Sequence, residues 1–440
     1  MEHSLYPGHS IKKRTAERAV RLLLTAVLLV SALKPLKVEA AGNYYSIFDA
    51  KFYASKYPDL AAAFGTNFSR LYNHYATIGV IEGRQPGPRF NPVYYKVNYP
   101  ELAAAYGNNW QAYAQHYITT GRAEGRVAGY LLSEGKPEDY VEETGPNVIA
   151  TPVAPNPAGY MTTTDQQDVQ NVIDSAQPFL NGRNLAYHQA VVVPGSRMMT
   201  YYDGSIFCVG WKERRGAHLC TFTEVIVADG SQFRRKICDD TFGSRNYRFA
   251  SQLAAQAGAV VASTSDFYMF RGVGTVVHDG VLYRFTPGLD TCYVTYDGDM
   301  LFSYAYQLNT REECEAFIAQ NNVNFAMTFG PVIIDDGMAR KISSYQLGEI
   351  NGTYSRGSVG MLEPRHYLLM TMNYEYGGTG ATLQAEIDAM SAYGCLKAYA
   401  LDGGGTCEIM FGNTMYNRPD HNKERAVSDI IYFASYPLAQ

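Results

Sequence analysis

Short apolar runs, separated by glycine and by Asp-Gly pairs, fill the chain from about residue 166 onward. Clear examples of these runs are 190–193, 223–227, 281–285 and 368–372. The Asp-Gly pairs stand at 203–204, 229–230 and 297–298. Such a pair between two strand-like runs is typical of a β-hairpin. Helical spacing of apolar residues appears at 251–257, 311–321 and 382–393. The pattern predicts an α+β C-terminal domain, residues 166–440, on a large, mostly antiparallel sheet.

An internal repeat precedes this domain. Residues 48–84 and 90–126 match with a period of 42, most visibly at Tyr57-Pro58 against Tyr99-Pro100 and at His74-Tyr75 against His116-Tyr117. Proline suits the first turn of a helix, and Gly65 and Gly107 are placed to end one. Leu71, Tyr75 and Ile78 are expected on the buried face of a later helix. The repeat predicts a small all-α module, residues 44–128, whose two units bury their aromatic side chains together.

This module resembles the aromatic helical repeats attached to surface proteins of Gram-positive bacteria, which implies binding to cell-wall glycan or to a protein partner. Its paired histidines, His74 and His116, leave a metal site as an alternative to a packed structural role. No cysteines or clustered carboxylates accompany them, and the chain contains no CxxC pair that would indicate structural zinc. The Glu-Gly-Arg ends at 82–84 and 124–126 are expected to form salt bridges within each repeat.

The N-terminus looks like an export signal. Five basic residues between positions 12 and 21 precede the apolar stretch 22–33, and Val38-Glu39-Ala40 fits a small-residue cleavage pattern. We therefore expect residues 1–40 to be a signal peptide and the protein to be secreted or held at the cell surface. An uncleaved signal anchor is the alternative, although the apolar stretch is short for a membrane span. Residues 129–165 are rich in proline and are predicted to be an extended linker.

Composition narrows the choice of partners. The net charge is −5, and beyond the first forty residues the longest basic run is Arg234-Arg235-Lys236, so nucleic acid is not an expected partner. Tyrosine is abundant, with 36 residues. Its ring can stack on a sugar, and the alternative is that most tyrosines fill half-buried positions.

All seven cysteines lie between positions 208 and 407. In an exported protein some of them should form disulfides, and the odd number leaves at least one free or intermolecular. Cys395 and Cys407 flank an apolar run and are candidates to staple it. A cysteine nucleophile is a further alternative.

That apolar run carries the most informative motif. Residues 398–406, AYALDGGGT, place a carboxylate at the tip of a predicted strand and three glycines directly after it. Glycine has no Cβ, so its backbone N–H groups can approach a ligand closely. Asp402 beside Gly403, Gly404 and Gly405 therefore suits a sugar or phosphate site. The alternative is a tight turn in which Asp402 caps backbone donors.

Other motifs surround this run in a characteristic order. They are Ser265-Asp266-Phe267-Tyr268, Phe329-Gly330-Pro331-Val332-Ile333, Arg356-Gly357-Ser358-Val359-Gly360, Gly380-Ala381-Thr382-Leu383, and Glu424-Arg425-Ala426-Val427-Ser428. Together with LDGGG they resemble the phosphodiester glycosidase family over roughly residues 185–435. Two positions depart from the family pattern. Thr264 stands where the family has asparagine, and Asn373 stands where aspartate is often seen, which leaves catalytic equivalence open.

The resemblance implies hydrolysis of a sugar-1-phosphodiester. Ordinary glycosidases use two carboxyl groups, in part because the leaving alkoxide needs a proton. A phosphate monoester is already a good leaving group, so cations that contact the phosphate should matter more. The candidate catalytic carboxylates are Asp402, Asp266 and Glu424, with Glu408 as a further reserve. Which one acts as base or nucleophile, and which contacts a sugar hydroxyl, stays open.

Arg356, Arg425 and the amides of Gly403, Gly404 and Gly405 are the candidate phosphate contacts. A structural ion pair is the alternative for either arginine, especially for Arg425 beside Glu424. No cofactor is expected. A divalent cation among the carboxylates remains an alternative, but no metal-loop spacing is present.

The sequence thus predicts an exported glycoside hydrolase that cleaves a sugar-1-phosphodiester in surface or extracellular glycan, with N-acetylglucosamine 1-phosphate linkages as one candidate. The alternative is a non-catalytic surface protein that binds glycan or cell wall.

Overall fold

The computed structural model describes residues 44, 47–65, 68–122, 124–137, 151–373 and 380–437. From Tyr44 onward the chain forms one compact unit. The predicted signal peptide and residues 138–150 of the predicted linker lie outside the described residues. Within the part that is described, no helix is both long and apolar enough to cross a membrane.

Short helices form the N-terminal part. In the first repeat they are α1 (Ala50–Lys56), α2 (Pro58–Phe64) and α3 (Phe68–His74), and in the second they are α4 (Pro92–Asn98), α5 (Pro100–Tyr106) and α6 (Trp110–His116). A π-helical turn follows each set, at Tyr75–Gly79 and Tyr117–Gly121. Pro58 and Pro100 occupy first helical turns, and Gly65 and Gly107 cap the helix ends. Each element therefore recurs 42 residues later, at the spacing of the sequence repeat.

Aromatic side chains fill the core of these helices. Tyr53 is buried, and its hydroxyl lies so close to Gly79 that a Cβ at that glycine would collide with it. The Tyr53 hydroxyl also hydrogen-bonds His74 Nδ1 at 3.2 Å, and Tyr95 makes the equivalent bond to His116 at 2.9 Å. Leu71 and Tyr75 are buried as expected, but the prediction for Ile78 is wrong, because its side chain is 48% exposed. The π-helical turn that contains Ile78 breaks the 3.6-residue spacing on which that prediction depended.

Five further α-helices and nineteen strands lie in the rest of the described residues. The helices are α7 (Gln166–Ser175), α8 (Gln177–Leu180), α9 (Ala250–Ala257), α10 (Arg311–Gln320) and α11 (Leu383–Ser391). The strands are β1 (Tyr160–Thr163), β2 (Met198–Tyr202), β3 (Ile206–Arg215), β4 (His218–Val227), β5 (Phe233–Ile237), β6 (Ala259–Thr264), β7 (Val276–His278), β8 (Val281–Arg284), β9 (Thr291–Thr295), β10 (Met300–Ser303), β11 (Val323–Met327), β12 (Val332–Asp335), β13 (Met338–Ala339), β14 (Arg356–Glu363), β15 (His366–Asn373), β16 (Lys397–Leu401), β17 (Ile409–Phe411), β18 (Thr414–Met415) and β19 (Asp429–Ala434).

The strands form three sheets. The largest has nine strands in the order β1-β2-β3-β4-β15-β14-β16-β12-β13. The two smaller sheets have five strands each, in the orders β10-β9-β11-β7-β8 and β18-β17-β6-β19-β5. The pairing is antiparallel in all three, for example between β4 and β15 and between β14 and β16. The predicted α+β class on a large antiparallel sheet is confirmed.

Some local predictions are wrong. Residues 190–193 form no strand, and only Val192 makes an isolated bridge, to Glu213. Asp229-Gly230 opens a 3₁₀ turn instead of a hairpin, because β4 and β5 belong to different sheets. Strand β1 lies inside the predicted linker and pairs with β2, so the linker ends earlier than residue 165. By contrast, Asp203-Gly204 and Asp297-Gly298 do join hairpins, β2 to β3 and β9 to β10.

The expected disulfides are absent, since all seven cysteines lie among the described residues as buried free thiols. Cys395 lies against Gly360 and Cys407 against Gly357, both on β14. These glycines are three residues apart, so the two sulfurs contact opposite faces of the strand, about 10 Å apart along it. That separation is beyond the reach of a disulfide. Burial also raises the pKa of the Cys407 thiol, which does not suit a nucleophile.

The helical repeats pack against the C-terminal domain. Leu396, which precedes β16, is buried in the same cluster as the repeat tyrosines. Arg122 donates two hydrogen bonds to Asp297 in the turn between β9 and β10, from Nη2 at 2.9 Å and from Nη1 at 3.2 Å. The repeats are therefore attached by an apolar contact and by a bidentate ion pair.

Candidate active site

Two sheets meet at Asp402. Strand β16 of the large sheet ends at Leu401, and strand β6 of a smaller sheet ends at Thr264. The backbone N–H of Asp402 donates to the carbonyl of Ser265 at 3.0 Å, which joins the two strand ends. Asp402 and Asp266 therefore come from different sheets but lie on adjoining backbone.

Asp402 has the properties of an acid–base group. Its side chain is half-buried, and the Thr406 hydroxyl donates to its Oδ2 at 2.6 Å. Burial raises the pKa of Asp402 to about 6, although the Thr406 hydrogen bond and the charges of Arg271 and Arg425 act in the opposite direction. A carboxyl group of this kind is ionised at neutral pH but holds a proton more readily than an exposed aspartate.

The glycines after Asp402 allow the loop to pass close to strand β14. A Cβ at Gly403 would collide with the carbonyl of Ser355, and Gly404 has a φ of +63°. The Gly404 N–H donates to that same carbonyl at 2.9 Å, so this amide supports the loop. The aliphatic part of Arg425 passes next to Gly405, and its Cδ would lie 3.7 Å, an ordinary contact distance, from an added Cβ.

Arg425 lies beside this loop with its side chain exposed. Its guanidinium carbon is 5.8 Å from the centre of the Phe267 ring, and its charge lowers the pKa of Asp402. No carboxylate in the described part of the chain forms an ion pair with it. Of the two predicted phosphate-binding arginines, Arg425 is the one that is accessible near Asp402.

The buried side chain of Glu408 holds the backbone of Arg425 in place. The backbone N–H of Arg425 donates to its Oε1 at 3.2 Å, and the side chain is fully buried. Its second oxygen, Oε2, accepts no hydrogen bond from any residue that the structure describes. Burial raises the pKa of Glu408 to about 8, with the charge of Glu424 adding to the effect. Glu408 is therefore mostly a neutral acid at pH 7 and has no access to a ligand.

Glu424 is occupied elsewhere. Its two carboxylate oxygens accept from the backbone N–H of Ser251 at 3.1 Å and from the Ser251 hydroxyl at 2.7 Å. Ser251 lies in the first turn of α9, where a negative charge favours the helix. Through these contacts Glu424 stabilises the N-terminal end of α9. They do not place its carboxylate at Asp402.

Asp266 is also satisfied inside the protein. It is buried, its Oδ1 accepts from Arg235 Nη2 at 2.6 Å, and its Oδ2 accepts from the backbone N–H of Thr328 at 2.8 Å. Arg235 also forms a buried ion pair with Asp429 at 2.9 Å. Burial raises the pKa of Asp266, Arg235 lowers it, and the charge of Asp429 raises it further. The structure places Asp266 behind the site as a support for the loop that starts at Phe267.

The side chain of Arg356 is directed toward helix α11 and not toward Asp402. On β14 its side chain shares one face with Ser358, whose hydroxyl donates to Glu386 of α11 at 2.6 Å. Arg356 donates from Nε to the carbonyl of Ala381 at 3.0 Å and from Nη2 to that of Gly352 at 2.8 Å. Its Nε also lies 3.9 Å from Glu386. The buried guanidinium thus holds α11 and its preceding loop against the sheet.

Sequence reasoning missed several neighbours of Asp402. Arg271 belongs to none of the recognised motifs, yet its charge acts on Asp402 and its guanidinium lies 4.3 Å from the centre of the Phe329 ring. The loop that carries Arg271 is held by Arg284, which donates to the carbonyls of Tyr268, Arg271, Val273 and Gly274. The sequence pointed to this region through the Asp-Phe-Tyr motif just before the loop and through Gly272-Val273-Gly274 directly after Arg271, which also resembles the family pattern.

Three aromatic side chains, Tyr247, Phe267 and Phe270, lie beside the site and form an aromatic shelf. Phe267 and Phe270 stack with ring centres 5.4 Å apart, and Tyr247 meets Phe267 edge-on at 5.5 Å. Phe270 is 65% exposed and Tyr247 is 41% exposed. Phe267 has a φ of +51°, an unusual conformation for a side-chain-bearing residue. Exposed aromatic rings beside an acid are suited to contact with a sugar ring.

The two departures from the family pattern contact the segment that follows the glycine loop. Asn373 is buried, donates to the carbonyl of Cys407 at 3.0 Å, and accepts from Asn417 at 2.7 Å. An ionised aspartate at this position could not donate to that carbonyl. Thr264 is buried in β6, and its N–H donates to the carbonyl of Glu408 at 3.3 Å. Both residues therefore hold the backbone at Cys407 and Glu408, just after the glycines. Among the described residues, no cluster of three or more histidines, cysteines or carboxylates is arranged to hold a metal ion.

Comparison with known proteins agrees with these motifs. Residues 252–434 match the family model of phosphodiester glycosidases, which confirms the resemblance predicted from the sequence. The SPbeta prophage-derived uncharacterized protein YomE of Bacillus subtilis (strain 168) is 24% identical over 205 residues, which cover 44% of this chain and 31% of YomE. The chain thus matches less than a third of that relative's length.

Two solved structures also align. The catalytic domain of zebrafish N-acetylglucosamine-1-phosphodiester alpha-N-acetylglucosaminidase, auto-inhibited by its pro-peptide, is 14% identical with a TM-score of 0.44, over 52% of this chain and 83% of that chain. A hypothetical protein from Synechocystis is 14% identical with a TM-score of 0.38, over 52% of this chain and 62% of that chain.

Proposed function

We propose that the C-terminal domain hydrolyses a sugar-1-phosphodiester at Asp402. The observation that carries the proposal is the half-buried Asp402 carboxylate, whose pKa is raised to about 6, beside the exposed guanidinium of Arg425. The match of residues 252–434 to the phosphodiester glycosidase family supports a hydrolase of this class.

Asp402 acts as the general base in this proposal. A base with a pKa slightly below the working pH is ionised and still takes up a proton effectively. Asp402 removes a proton from a water molecule, and the water oxygen bonds to the anomeric carbon. The bond between that carbon and the phosphate oxygen breaks, and its electron pair leaves with the phosphate monoester. The leaving group needs no added proton, so one accessible carboxylate is sufficient.

Arg425 and Arg271 compensate the charge of the departing phosphate. Arg425 is exposed, and both arginines act electrostatically on Asp402, so both lie near the place where that charge develops. The aromatic shelf of Tyr247, Phe267 and Phe270 offers the apolar surface on which a sugar ring stacks. We propose N-acetylglucosamine as the first sugar to test, in a surface or extracellular glycan. The export signal predicted for residues 1–40 supports that location.

A non-catalytic glycan-binding role is the second candidate. It is favoured by the engagement of Asp266 and Glu424 in internal contacts, which leaves Asp402 as the one predicted carboxylate at the accessible part of the site. In this alternative the aromatic shelf and Arg425 bind the sugar phosphate without turnover.

The two candidates are separated by an assay on the full chain with a chromogenic N-acetylglucosamine-1-phosphodiester. We expect turnover, and we expect Asp402→Asn to reduce the rate by about a hundredfold or more, the usual scale for loss of a positioned base. Asp388→Asn, an exposed carboxylate on α11, is the matched control and should keep full activity. Binding without turnover in the unmodified protein would favour the second candidate. Unfolding of Asp402→Asn would show that Asp402 is a structural cap.

A further inference from the structure

A cavity of about 550 Å³ lies next to Phe329, whose carbonyl accepts a hydrogen bond from the lining residue Tyr345. Its walls come from residues 304–306 and from the segment 340–346, and its floor includes Gly288 and Asp290. The volume is within the range of pockets that bind small organic ligands. None of the residues proposed for hydrolysis lines it.

The deep wall of the cavity is rigid. Arg340 donates from Nη1 to Asp290 Oδ2 at 2.8 Å and to the carbonyl of Val332 at 3.0 Å. Its guanidinium carbon lies 4.4 Å from the centre of the Tyr304 ring. The Tyr304 hydroxyl in turn donates to Asp335. The ring of Tyr304 is therefore fixed between an ion pair and a hydrogen bond, which reduces the entropy lost when a ligand binds.

The rim of the cavity is built for polar contact. Tyr306 is 65% exposed and has a φ of +63°, a strained conformation for tyrosine. Gly288 has a φ of +106°, and a Cβ there would lie 2.9 Å from Gln346 Oε1 and 3.1 Å from the Tyr306 hydroxyl. Because Gly288 has no side chain, the amide oxygen of Gln346 and the hydroxyl of Tyr306 can approach the floor of the cavity.

The charge of the lining is positive. Asp290 and Arg340 neutralise each other as an ion pair at 2.8 Å. Lys341 is exposed, and within the described ranges no carboxylate pairs with its ammonium group. Aromatic faces, an amide and hydroxyl groups are the contacts that sugars make, and an unneutralised lysine adds affinity for an anion.

A chain of contacts through Phe329 links the cavity to Arg271, whose charge acts on Asp402. Tyr345 lines the cavity, and its hydroxyl donates to the carbonyl of Phe329 at 2.8 Å. The guanidinium of Arg271 lies over the ring of the same phenylalanine and acts on Asp402. Phe329 thus contacts both a residue of the cavity wall and Arg271.

We propose that this cavity is a second binding site, for a phosphate-bearing sugar unit, with Tyr306 and Lys341 as its main contacts. The ring of Tyr306 stacks on the sugar, Gln346 bonds to its hydroxyl groups, and Lys341 pairs with the phosphate. Binding here depends on the cavity alone and does not require hydrolysis at Asp402. In a polymer with repeated sugar phosphates, the cavity would hold the unit next to the one that is cleaved.

The test is calorimetric titration of the full chain carrying Asp402→Asn, which prevents turnover. N-acetylglucosamine 1-phosphate is the probe, and N-acetylglucosamine and inorganic phosphate are titrated separately. We expect two molecules of the probe per chain. Adding Tyr306→Ala or Lys341→Ala should weaken one of the two binding events by about tenfold or more, the effect of losing a charged or stacking contact. Lys341→Ala should leave any binding of the neutral sugar unchanged.

Tyr283→Ala is the matched control, because Tyr283 is 41% exposed and does not line the cavity. Two binding events that neither cavity variant affects would overturn the proposal, as would a single event that the variants leave intact. Binding of inorganic phosphate with the same affinity as the probe would show an anion site only and would also overturn it. Failure of the hydrolysis assay has no bearing on these outcomes.

Discussion

The backbone N–H of Asp402 donates to the carbonyl of Ser265 at 3.0 Å, and this hydrogen bond joins the ends of two strands from different sheets. The residue next to Ser265 is Asp266, which is buried with Arg235 and Asp429. Two carboxylates from adjoining backbone segments therefore differ in their exposure to solvent. Asp266 is locked into the interior, while Asp402 stays half-buried at the surface beside Arg425.

The activity should fall below about pH 6, because protonation of Asp402, whose pKa is raised to about 6, removes the base. The Thr406 hydroxyl donates to the ionised carboxylate and lowers that pKa. Thr406→Val should therefore move the acidic limb of the kcat/KM profile to higher pH. Thr120→Val, an exposed control in the helical repeats, should leave the limb in place. An acidic limb that Thr406→Val does not move would argue against Asp402 as the titrating group.

The two predicted phosphate-binding arginines should behave differently. Arg425 is exposed, so Arg425→Ala should weaken binding of a sugar-1-phosphodiester by about tenfold or more while the melting temperature hardly changes. Arg356 is buried and donates to two carbonyls, so Arg356→Ala should lower the melting temperature. Arg356→Lys should recover part of that stability, since lysine keeps the charge but not the forked geometry.

Thermal denaturation gives the melting temperatures of the Arg425 and Arg356 variants, and substrate titration gives their affinities for the sugar-1-phosphodiester. A stable Arg356→Ala protein with a selective loss of phosphodiester binding, and unchanged binding of the free sugar, would instead assign the phosphate contact to Arg356.

Glu408 should make the protein less stable as the pH rises. In the unfolded chain this carboxyl group loses its proton near the ordinary pKa of 4.5, whereas in the folded protein it keeps the proton up to about pH 8. Between these values the folded state binds more protons, so the free energy of unfolding falls as the pH increases. Glu408→Gln imitates the neutral acid and should raise the melting temperature more at pH 8 than at pH 5.

An exposed glutamate on α10, Glu312, provides the control substitution, Glu312→Gln. The melting temperatures of Glu408→Gln and the unmodified protein could also differ by the same amount at pH 5 and at pH 8. That result would show that Glu408 is ionised in the folded state.

The helical repeats should contribute to stability but not to chemistry. Deletion of residues 41–130 exposes Leu396 and removes the partner of Asp297, so it should lower the melting temperature. Turnover of a small soluble substrate should stay nearly unchanged below that temperature, because no repeat residue is among those placed at Asp402. Retention on cell-wall material should weaken.

Leu396→Ala tests the contact without a deletion, and its expected cost is roughly 2 to 5 kcal/mol, as for other buried leucines. Leu132→Ala, at a leucine that is 51% exposed, is its control. A large loss of turnover in the deleted protein, with the fold intact, would contradict the separation of the two parts.

Some features of this protein follow from the sequence alone. The period of 42 residues, the prolines that begin helices and two of the three Asp-Gly hairpins depend on local backbone geometry, which neighbouring residues determine. The same holds for the placement of Asp402 at the tip of β16, because an apolar run followed by glycines ends a strand wherever the strand packs. These local patterns also carried the family resemblance.

The tertiary structure decided which predicted residues are accessible. Asp266 is buried because Arg235, 31 residues away in the chain, reaches its carboxylate, and Arg356 is turned toward α11 by the alternation of β14. Arg271 could not be found from a motif, since only the folding of its loop around Arg284 brings it near Asp402. Burial, and therefore pKa and access to substrate, depends on contacts between residues that are distant in the sequence. A single sequence shows the order of chemical groups along the chain, and the packing of the sheets determines which of them a ligand can reach.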